Sequence, residues 1–489
     1  MTPPILRPYQ IEAINAARQA MKSGKKAVLL VAFCGAGKTV MAAEVIRSAV
    51  SLGSRTLFLA HRRELIRQTQ DKLRSFGVEP GIIMAGERMD LARPCQVASI
   101  QTLAQRRDVL TDVDLVFFDE AHHAAAKSYQ DIVKMFPKSR VIGLTATPWR
   151  TDGKGLSDIF DSHCLVATPA QLRDGGWLCP VGGWEFRAVD TTGAKVQGGD
   201  FVQSSMSDAA QDKKLLGSIV GEYVARAKGK RAVCFCVSVA ASEATALAFR
   251  EAGVAAEHLD GETPKDERDA ILDRLRSGET HVVCNCAVLT EGTDIPSIEV
   301  CILAAPTLSP VLYLQRVGRV LRPAPGKEKA IIHDHCKALA THGHPYADRD
   351  FAPCEADPGK SVNRRRKDAE QKVKTCKSCG SVRNGYPCES CGYSPSTAEI
   401  AEELAVEAVA IAEQQKDAET IARAVKFKQL TEPEKQEAFM RMVSRHGRDT
   451  RRSVGVYRWA SGDTEWPPRE WQREAGIPAA SPSYFKKGG

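Results

Sequence analysis

The sequence predicts an α/β protein with two tandem lobes, each built on a parallel sheet. Short, almost entirely apolar segments alternate with helical stretches from 26 to 161, and the alternation returns from 206 to about 350. Strands that are apolar throughout are typical of parallel sheets, because both of their faces are covered by helices. Glycine and tryptophan become frequent between 166 and 205, so we expect a connecting segment there.

The predicted strands follow from these apolar runs. In the first lobe, 1–165, they cover 27–32, 56–60, 96–100, 115–118 and 141–144. In the second lobe, 206–350, they cover 232–237, 258–259, 282–286, 300–304 and 330–333. The chain has 489 residues, which leaves room for further small regions after the second lobe.

A glycine loop between the first strand and the next helix carries the first chemical signal. Gly35, Gly37, Lys38 and Thr39 fit the end of the phosphate-binding template, although Ala32 stands where that template has glycine. Backbone N–H groups at such a helix start hold phosphate oxygens, Lys38 reaches the β- and γ-phosphates, and the Thr39 hydroxyl ligates Mg²⁺. The alternative is an ordinary glycine turn before a helix.

Two carboxylates at the end of a later strand supply the second signal. Asp119 and Glu120 follow the predicted strand 115–118, and Ala121 and His122 come next. We expect Asp119 at the metal ion and Glu120 beside the attacking water. Together with the glycine loop, these carboxylates predict hydrolysis of a nucleoside triphosphate.

The second lobe has no phosphate loop of its own, but it carries arginines that complete such a site. Arg319 and Arg322 follow a helical stretch, 310–314, and residues three apart on a helix point the same way. Guanidinium groups that reach across a cleft stabilise the charge that develops on the γ-phosphate. The alternative is that both arginines form structural salt bridges. The sequence therefore predicts one ATP site between the two lobes.

The net charge of +8 is concentrated in the C-terminal third, in segments 360–375 and 428–489. A polyanion such as nucleic acid is the natural partner for such a distribution, and a solvated linker is the alternative. No apolar run approaches the roughly 20 residues that span a bilayer, and the first residues show no secretory signal. We therefore expect a cytoplasmic protein.

Four of the fifteen cysteines form two C-x-x-C pairs, Cys376 with Cys379 and Cys388 with Cys391. Paired knuckles of this kind hold one structural Zn²⁺ in a tetrahedral thiolate site with no open position. A redox motif is the alternative, but it needs an adjacent βαβ unit. We expect the other cysteines to be small, buried and reduced.

The region after the second lobe divides by composition into a basic linker, 351–374, a zinc ribbon, 375–395, a long helix, 396–428, and a small basic unit, 429–489. The helix either docks against the body or pairs with a protein partner as a coiled coil. The tryptophans of the last unit either form its core or stack on bases.

These motifs resemble, in content and order, those of the superfamily 2 helicases and translocases. The resemblance covers about residues 5 to 350, and it is strongest to the DEAH-type branch with the excision-repair helicase, the phage helicase UvsW and bacterial or prophage relatives. Besides the glycine loop and Asp119–His122, the stretches that carry it are Arg7–Gln10, Phe58–Leu65, Ala98–Leu103, Thr145–Pro148, Leu289–Pro296 and Gln315–Arg322.

The resemblance implies two RecA-like domains and a role for each motif. By the family pattern, Gln10 reads the adenine, Asp294 faces the nucleotide, Gln315 positions the attacking water, and Arg319 and Arg322 act as arginine fingers. The residues that it places on nucleic acid are His61, Arg62, Gln101, Thr102, Thr145, Thr147, Gly292 and Thr293.

The sequence therefore predicts an ATP-dependent helicase or translocase that acts on DNA in repair, replication or recombination, with a possible phage association. ATP, Mg²⁺ and structural Zn²⁺ are the expected cofactors, and a protein partner could bind the C-terminal third. One alternative is a double-strand translocase of the restriction type, which moves without separating strands. The other is a scaffold that binds ATP and senses nucleic acid without turnover.

Overall fold

The computed structural model describes residues 4–123, 127–150, 155–289, 295–347, 349, 374–384, 387–396, 435–436, 440 and 469–474. The chain divides into two compact units, Met1–Ser394 and Pro395–Gly489. Of the second unit, the described residues show one short helix, Arg469–Glu474, in which Trp471 is buried. The predicted basic linker, long helix and small basic unit lie almost wholly outside the described residues.

The first lobe is a seven-stranded parallel sheet in the order β3-β4-β2-β5-β6-β1-β7. Its strands are β1 (Ala27–Ala32), β2 (Thr56–Ala60), β3 (Gly81–Ile83), β4 (Cys95–Ser99), β5 (Leu115–Phe118), β6 (Arg140–Thr145) and β7 (Ser162–Ala167). Its helices are α1 (Pro8–Lys22), α2 (Lys38–Ser51), α3 (Arg63–Ser75), α4 (Ile100–Gln105) and α5 (Lys127–Met135), and α6 (Pro169–Asp174) follows β7 in the connecting segment. In β2 and β5 every residue is buried, as expected for strands covered on both faces.

The second lobe is a six-stranded parallel sheet in the order β12-β13-β11-β14-β15-β8. Its strands are β8 (Val181–Glu185), β11 (Ala232–Cys236), β12 (Ala256–Leu259), β13 (Val282–Asn285), β14 (Val300–Ala304) and β15 (Ala330–Asp334). Its helices are α7 (Lys213–Ala227), α8 (Val239–Glu251), α9 (Lys265–Ser277), α10 (Pro310–Val317) and α11 (Ala338–His342). The two predicted parallel-sheet lobes are therefore confirmed.

The segment expected to be a connector, 166–205, also contains regular structure. The edge strand β7 ends in it, β8 forms the edge of the second sheet, and β9 (Val196–Gln197) and β10 (Asp200–Phe201) form a small hairpin. The glycines of β8 hid this strand from the sequence pattern. A Cβ on Gly182 would lie 2.7 Å from the Trp184 ring, so a larger residue does not fit there.

The order of the first sheet brings its functional strand ends together. Strand β6 lies between β1 and β5, and all three run parallel. The loops after β1 and β5 therefore leave from the same edge of the sheet, which is where open α/β sheets bind ligands. Among the described residues, no helix is long and apolar enough to cross a membrane.

Candidate active site between the two lobes

The glycine loop joins the end of β1 to the first residue of α2, Lys38. Gly35 and Gly37 adopt φ values of 87° and 82°, in the left-handed region that favours glycine. A Cβ on Gly37 would lie 2.4 Å from Nε2 of Gln10, and one on Gly35 would lie 2.9 Å from Leu178. Both positions therefore require glycine.

Gln10 lies directly against this loop. Its Nε2 donates to the Ala36 carbonyl at 2.9 Å, and its Oε1 accepts from the Arg7 N–H at 2.9 Å. The residue is buried, and the Tyr9 hydroxyl donates to the same carbonyl at 3.3 Å. Both ends of the Gln10 amide are thus engaged within the chain, where they fix the loop to α1.

Asp119 and Glu120 lie at the end of β5, opposite Lys38. The Lys38 ammonium donates to Oε1 of Glu120 at 2.8 Å, and the Glu120 N–H donates to Asp119 at 3.0 Å. Glu120 has a φ of 48°, which is unusual for a residue other than glycine. Backbone strain of this kind is concentrated at functional sites.

Burial and mutual charge set the protonation of this cluster. Burial, together with the Glu120 carboxylate, raises the pKa of Asp119 to about 6. Burial also disfavours the charged form of Glu120, but Lys38 and His122 outweigh it and hold the pKa of Glu120 below its usual range. Lys38 and Glu120 are therefore a charged pair, and a phosphate that binds Lys38 competes with Glu120 for the ammonium group.

His122 connects Glu120 to the end of β6. Its Nδ1 lies 3.3 Å from Oε2 of Glu120 and 3.4 Å from Oγ1 of Thr145, which in turn donates to the Thr147 carbonyl at 2.7 Å. Thr145 and Thr147 are both fully buried. Both bond to each other within the first lobe, and their expected contact with nucleic acid stays a prediction.

The arginines of the second lobe lie beside the glycine loop, but not on a helix as the sequence suggested. Helix α10 ends at Val317, and Arg319 and Arg322 belong to the turn that follows it, residues 318–322, called here the arginine turn. Gln315 is buried in the last turn of α10. Cys34 Sγ lies 3.5 Å from the Leu314 carbonyl.

Cys34 is also the point at which the arginine turn meets the loop. A Cβ on Gly318 would lie 2.6 Å from Cβ of Cys34, so only glycine allows this approach. Burial raises the pKa of the Cys34 thiol, and the positive charges of Lys38, Arg319 and Arg322 counteract that rise. The arginine charges are therefore close to the phosphate loop, as a shared site requires.

The residues expected on the nucleic-acid side lie at the ends of β2 and β4. The His61 ring is 5.2 Å from that of His123, and the Arg62 guanidinium donates to the Val288 carbonyl of the second lobe at 3.4 Å. Gln101 is exposed, whereas Thr102 is nearly buried. Asp294, Gly292 and Thr293 lie outside the described residues.

The sequence pattern did not identify the connector as part of this site. The Arg7 guanidinium lies 4.1 Å from the centre of the Trp177 ring, and Leu178 packs against Gly35. The Cys179 N–H donates to the Leu321 carbonyl in the arginine turn at 2.9 Å. The frequent glycine and tryptophan of this segment indicate a break between the lobes, but they do not indicate a contact with the phosphate loop.

The four clustered cysteines form a separate centre. Their sulfur atoms lie within 4.8 Å of one another, with Cys376 Sγ 3.7 Å from Cys391 and Cys379 Sγ 3.9 Å from Cys388. Thiolates that bind zinc at 2.3 Å in a tetrahedron are about 3.8 Å apart, so the arrangement is compatible with one such ion.

The ribbon packs against the edge of the second sheet. The Val382 N–H donates to the Gly183 carbonyl of β8 at 2.7 Å, and the Trp184 indole N–H donates to the Cys379 carbonyl at 3.1 Å. The Glu389 carboxylate accepts from the Arg173 guanidinium at 2.6 Å. The ribbon therefore covers an otherwise open strand edge.

Two family models match the chain. Residues 4–150 match "Type III restriction enzyme, res subunit", and residues 213–324 match "Helicase conserved C-terminal domain". A 51.5 kDa protein of a Lactococcus phage is 32% identical over 76% of this chain and 79% of its own length. The chain belongs to the superfamily 2 helicases, and it is an ATP-hydrolysing helicase or translocase with two RecA-like domains.

Other relatives carry more specific names. A Saccharomyces cerevisiae protein assigned as the ATP-dependent helicase IRC3 is 31% identical over 69% of this chain, but the chain spans only 51% of its length. The DNA 3'-5' translocase XPB2 of Sulfurisphaera tokodaii is 26% identical over 69% of this chain and 83% of its own.

A fragment of an HsdR subunit of a type I restriction enzyme from Vibrio vulnificus has the same fold. It superimposes with a TM-score of 0.57 and 24% identity over 72% of this chain and 67% of its own.

Proposed function

We propose that this protein moves along DNA by hydrolysing ATP in the cleft between its lobes, and that it belongs to the DEAH-type branch. The observation that supports this most directly is the contact between the phosphate loop and the arginine turn at Cys34 and Gly318. It brings a phosphate-binding lysine, two carboxylates and two arginines from both lobes to one place.

The first lobe binds and activates the nucleotide. ATP takes Lys38 away from Glu120, and the freed carboxylate then accepts a proton from the attacking water. Mg²⁺ would be held by the Thr39 hydroxyl and Asp119, where it neutralises charge on the phosphates. Asp119 is buried and Thr39 lies in the first turn of α2, and carboxylate and hydroxyl oxygens are ligands that suit this hard cation.

The second lobe completes the site. Arg319 and Arg322 stabilise the charge that develops on the γ-phosphate, and Gln315 orients the water. Loss of the γ-phosphate removes the ligand that both lobes share, so the lobes separate. Repeated closing and opening shifts the strand contacts of one lobe relative to the other.

The contact from Glu120 through His122 to Thr145 provides a route from the reaction to the strand-binding edge. Thr145 ends β6, and His61 and Arg62 follow the end of β2, which is separated from β6 in the sheet by β5 alone. Burial lowers the pKa of His122, so its ring is neutral and can switch its hydrogen bond between Glu120 and Thr145.

DNA is the proposed track because the XPB2 relative is named a DNA translocase and the family model of the first lobe is named for a restriction enzyme. The match to the restriction-enzyme family also supports a second candidate function, which is translocation on duplex DNA without strand separation. Strand displacement on forked duplexes, compared with triplex displacement on intact duplexes, separates these two activities.

We further propose that the four-cysteine cluster holds one structural Zn²⁺. Its contacts with β8 and α6 support a role in stabilising the second lobe and the connector. A protein partner of the C-terminal third stays a prediction from the sequence.

We predict that Glu120→Gln lowers the single-turnover rate of ATP hydrolysis about 10²–10⁴-fold, because the water loses its base. The affinity of Glu120→Gln for ATP, measured by titration with a fluorescent nucleotide, should be equal to or higher than that of the wild type. The reason is that Lys38 no longer forms an ion pair with residue 120 that competes with the phosphate. Glu12→Gln, on an exposed face of α1, is the matched control and should behave like the wild type. Hydrolysis by Glu120→Gln within threefold of the wild-type rate would contradict the assignment.

We predict that DNA stimulates ATP turnover with little dependence on base sequence and with strong dependence on salt. Contacts with phosphates carry no base information, and their counterions are released on binding. The half-saturating DNA concentration should rise at least tenfold between about 50 and 200 mM salt. Stimulation by RNA but not by DNA would refute the proposed track, and turnover unaffected by either would favour an uncoupled scaffold.

We predict one zinc ion per chain by elemental analysis, lost in Cys388→Ser but retained in the control Cys164→Ser. Without the ion, the Val382 amide should lose its protection from hydrogen exchange, because its bond to Gly183 depends on a folded ribbon. A zinc-free wild-type protein with the same protection at Val382 would show that the cluster does not need metal.

A further inference from the structure

The side chain of Lys327 ends among four backbone carbonyls. Its ammonium group lies 3.1 Å from the carbonyl oxygen of Pro296, 2.6 Å from Ile298, 2.6 Å from Val320 and 2.9 Å from Arg322. An ammonium has three N–H groups, so every donor is used and the four acceptors share them. The neutral amine would have only two N–H groups for the same oxygens.

These carbonyls belong to two separate segments. Val320 and Arg322 lie in the arginine turn, whereas Pro296 and Ile298 precede β14. Lys327 therefore ties the turn that carries Arg319 and Arg322 to the segment that leads into β14, an inner strand of the second sheet.

The arginine turn needs such a partner because α10 has already ended. The last carbonyls of a helix and those of the turn beyond it have no partners within the helix. In this turn, the Leu321 carbonyl accepts from the Cys179 N–H, and the carbonyls on either side of it accept from Lys327. The N–H groups of Gly318, Arg319 and Val320 donate to carbonyls of α10, whereas Lys327 and the connector hold the carbonyls at 320–322.

The lysine occupies this position at an electrostatic cost. Burial, with a smaller contribution from the Arg322 charge, lowers the pKa of Lys327 to about 8, although Cys179 and Glu299 oppose the shift. A buried ammonium beside an arginine is unfavourable unless its hydrogen bonds compensate. Here it makes all of them to backbone oxygens.

We propose that Lys327 is a positioning residue, which fixes the arginine turn and thereby holds the Arg322 guanidinium at the phosphate loop. Arg322 is close enough to the loop that its Cγ would lie 4.0 Å from a Cβ on Gly35. The inference rests on the proposed function, since it takes Arg322 as a group that contacts the nucleotide. Displacement of such a group by about 1 Å can lower a rate about 10²-fold.

The test is a double-mutant cycle of Lys327→Met and Arg322→Ala, read as single-turnover hydrolysis at saturating ATP and DNA. Methionine keeps most of the apolar stem and removes the donors. We expect Lys327→Met to lower the rate about 10–100-fold with KM for ATP changed less than threefold, because Lys38 and the glycine loop are untouched. Lys228→Met, at an exposed position after α7, is the control.

The cycle distinguishes positioning from a general structural role. If Lys327 acts through Arg322, the double variant should have the rate of Arg322→Ala within about twofold. Independent, multiplicative losses would overturn the inference and leave the proposed function intact. A wild-type rate in Lys327→Met would also overturn the positioning role of Lys327 and leave the proposed function intact. A wild-type rate in Arg322→Ala would overturn the positioning role and the proposed function together.

The pH profile gives a second readout that does not require Lys327→Met to fold. Since the ammonium form makes the hydrogen bonds, the wild-type rate should fall as pH rises through about 8. That decline should be absent in Arg322→Ala, which has no positioned guanidinium to lose. A decline of equal size in Arg322→Ala would overturn the inference.

Discussion

The two lobes meet where the Cys34 side chain lies against Gly318, and the geometry of the site depends on this contact. No side chain larger than hydrogen fits at position 318, because its Cβ would lie 2.6 Å from that of Cys34. The approach places the arginine turn beside the phosphate loop, although the two are about 280 residues apart in sequence. Each lobe alone would offer either the phosphate-binding groups or the arginines, and hydrolysis needs both.

The connector between the lobes is part of this arrangement. Leu178 packs against Gly35 of the phosphate loop, and Cys179 bonds to the arginine turn. On its other side, Arg173 of α6 pairs with Glu389 of the ribbon. A change in nucleotide occupancy therefore acts on the connector as well as on the two lobes, and the ribbon stabilises the segment through which they are joined.

The sequence predicted what local patterns determine and missed what depends on tertiary contacts. Strands such as β2 and β11 were visible because all of their residues are buried and all except Thr56 are apolar. The edge strand β7 alternates in exposure, and β8 contains adjacent glycines, so neither produced an apolar run. The phosphate loop and acidic pair are contiguous motifs, and their residues converge as expected.

The arginine turn shows the opposite case. Helical spacing predicted a common direction for Arg319 and Arg322, but α10 ends before both, and Lys327 and the connector bind the carbonyls of the turn that carries them. No spacing rule identifies a lysine whose partners are backbone oxygens of two distant segments. Thr145 is a further example: its motif is visible in the sequence, but its burial depends on tertiary contacts that the sequence pattern does not show.

The most direct test of the shared site is the single-turnover hydrolysis rate of Arg319→Ala, with ATP affinity measured separately and Arg18→Ala on α1 as the control. If the second lobe supplies charge only to the reacting phosphate, the rate should fall about 10³-fold or more while the affinity changes only severalfold. A rate within threefold of the wild type would show that the first lobe hydrolyses ATP without its neighbour.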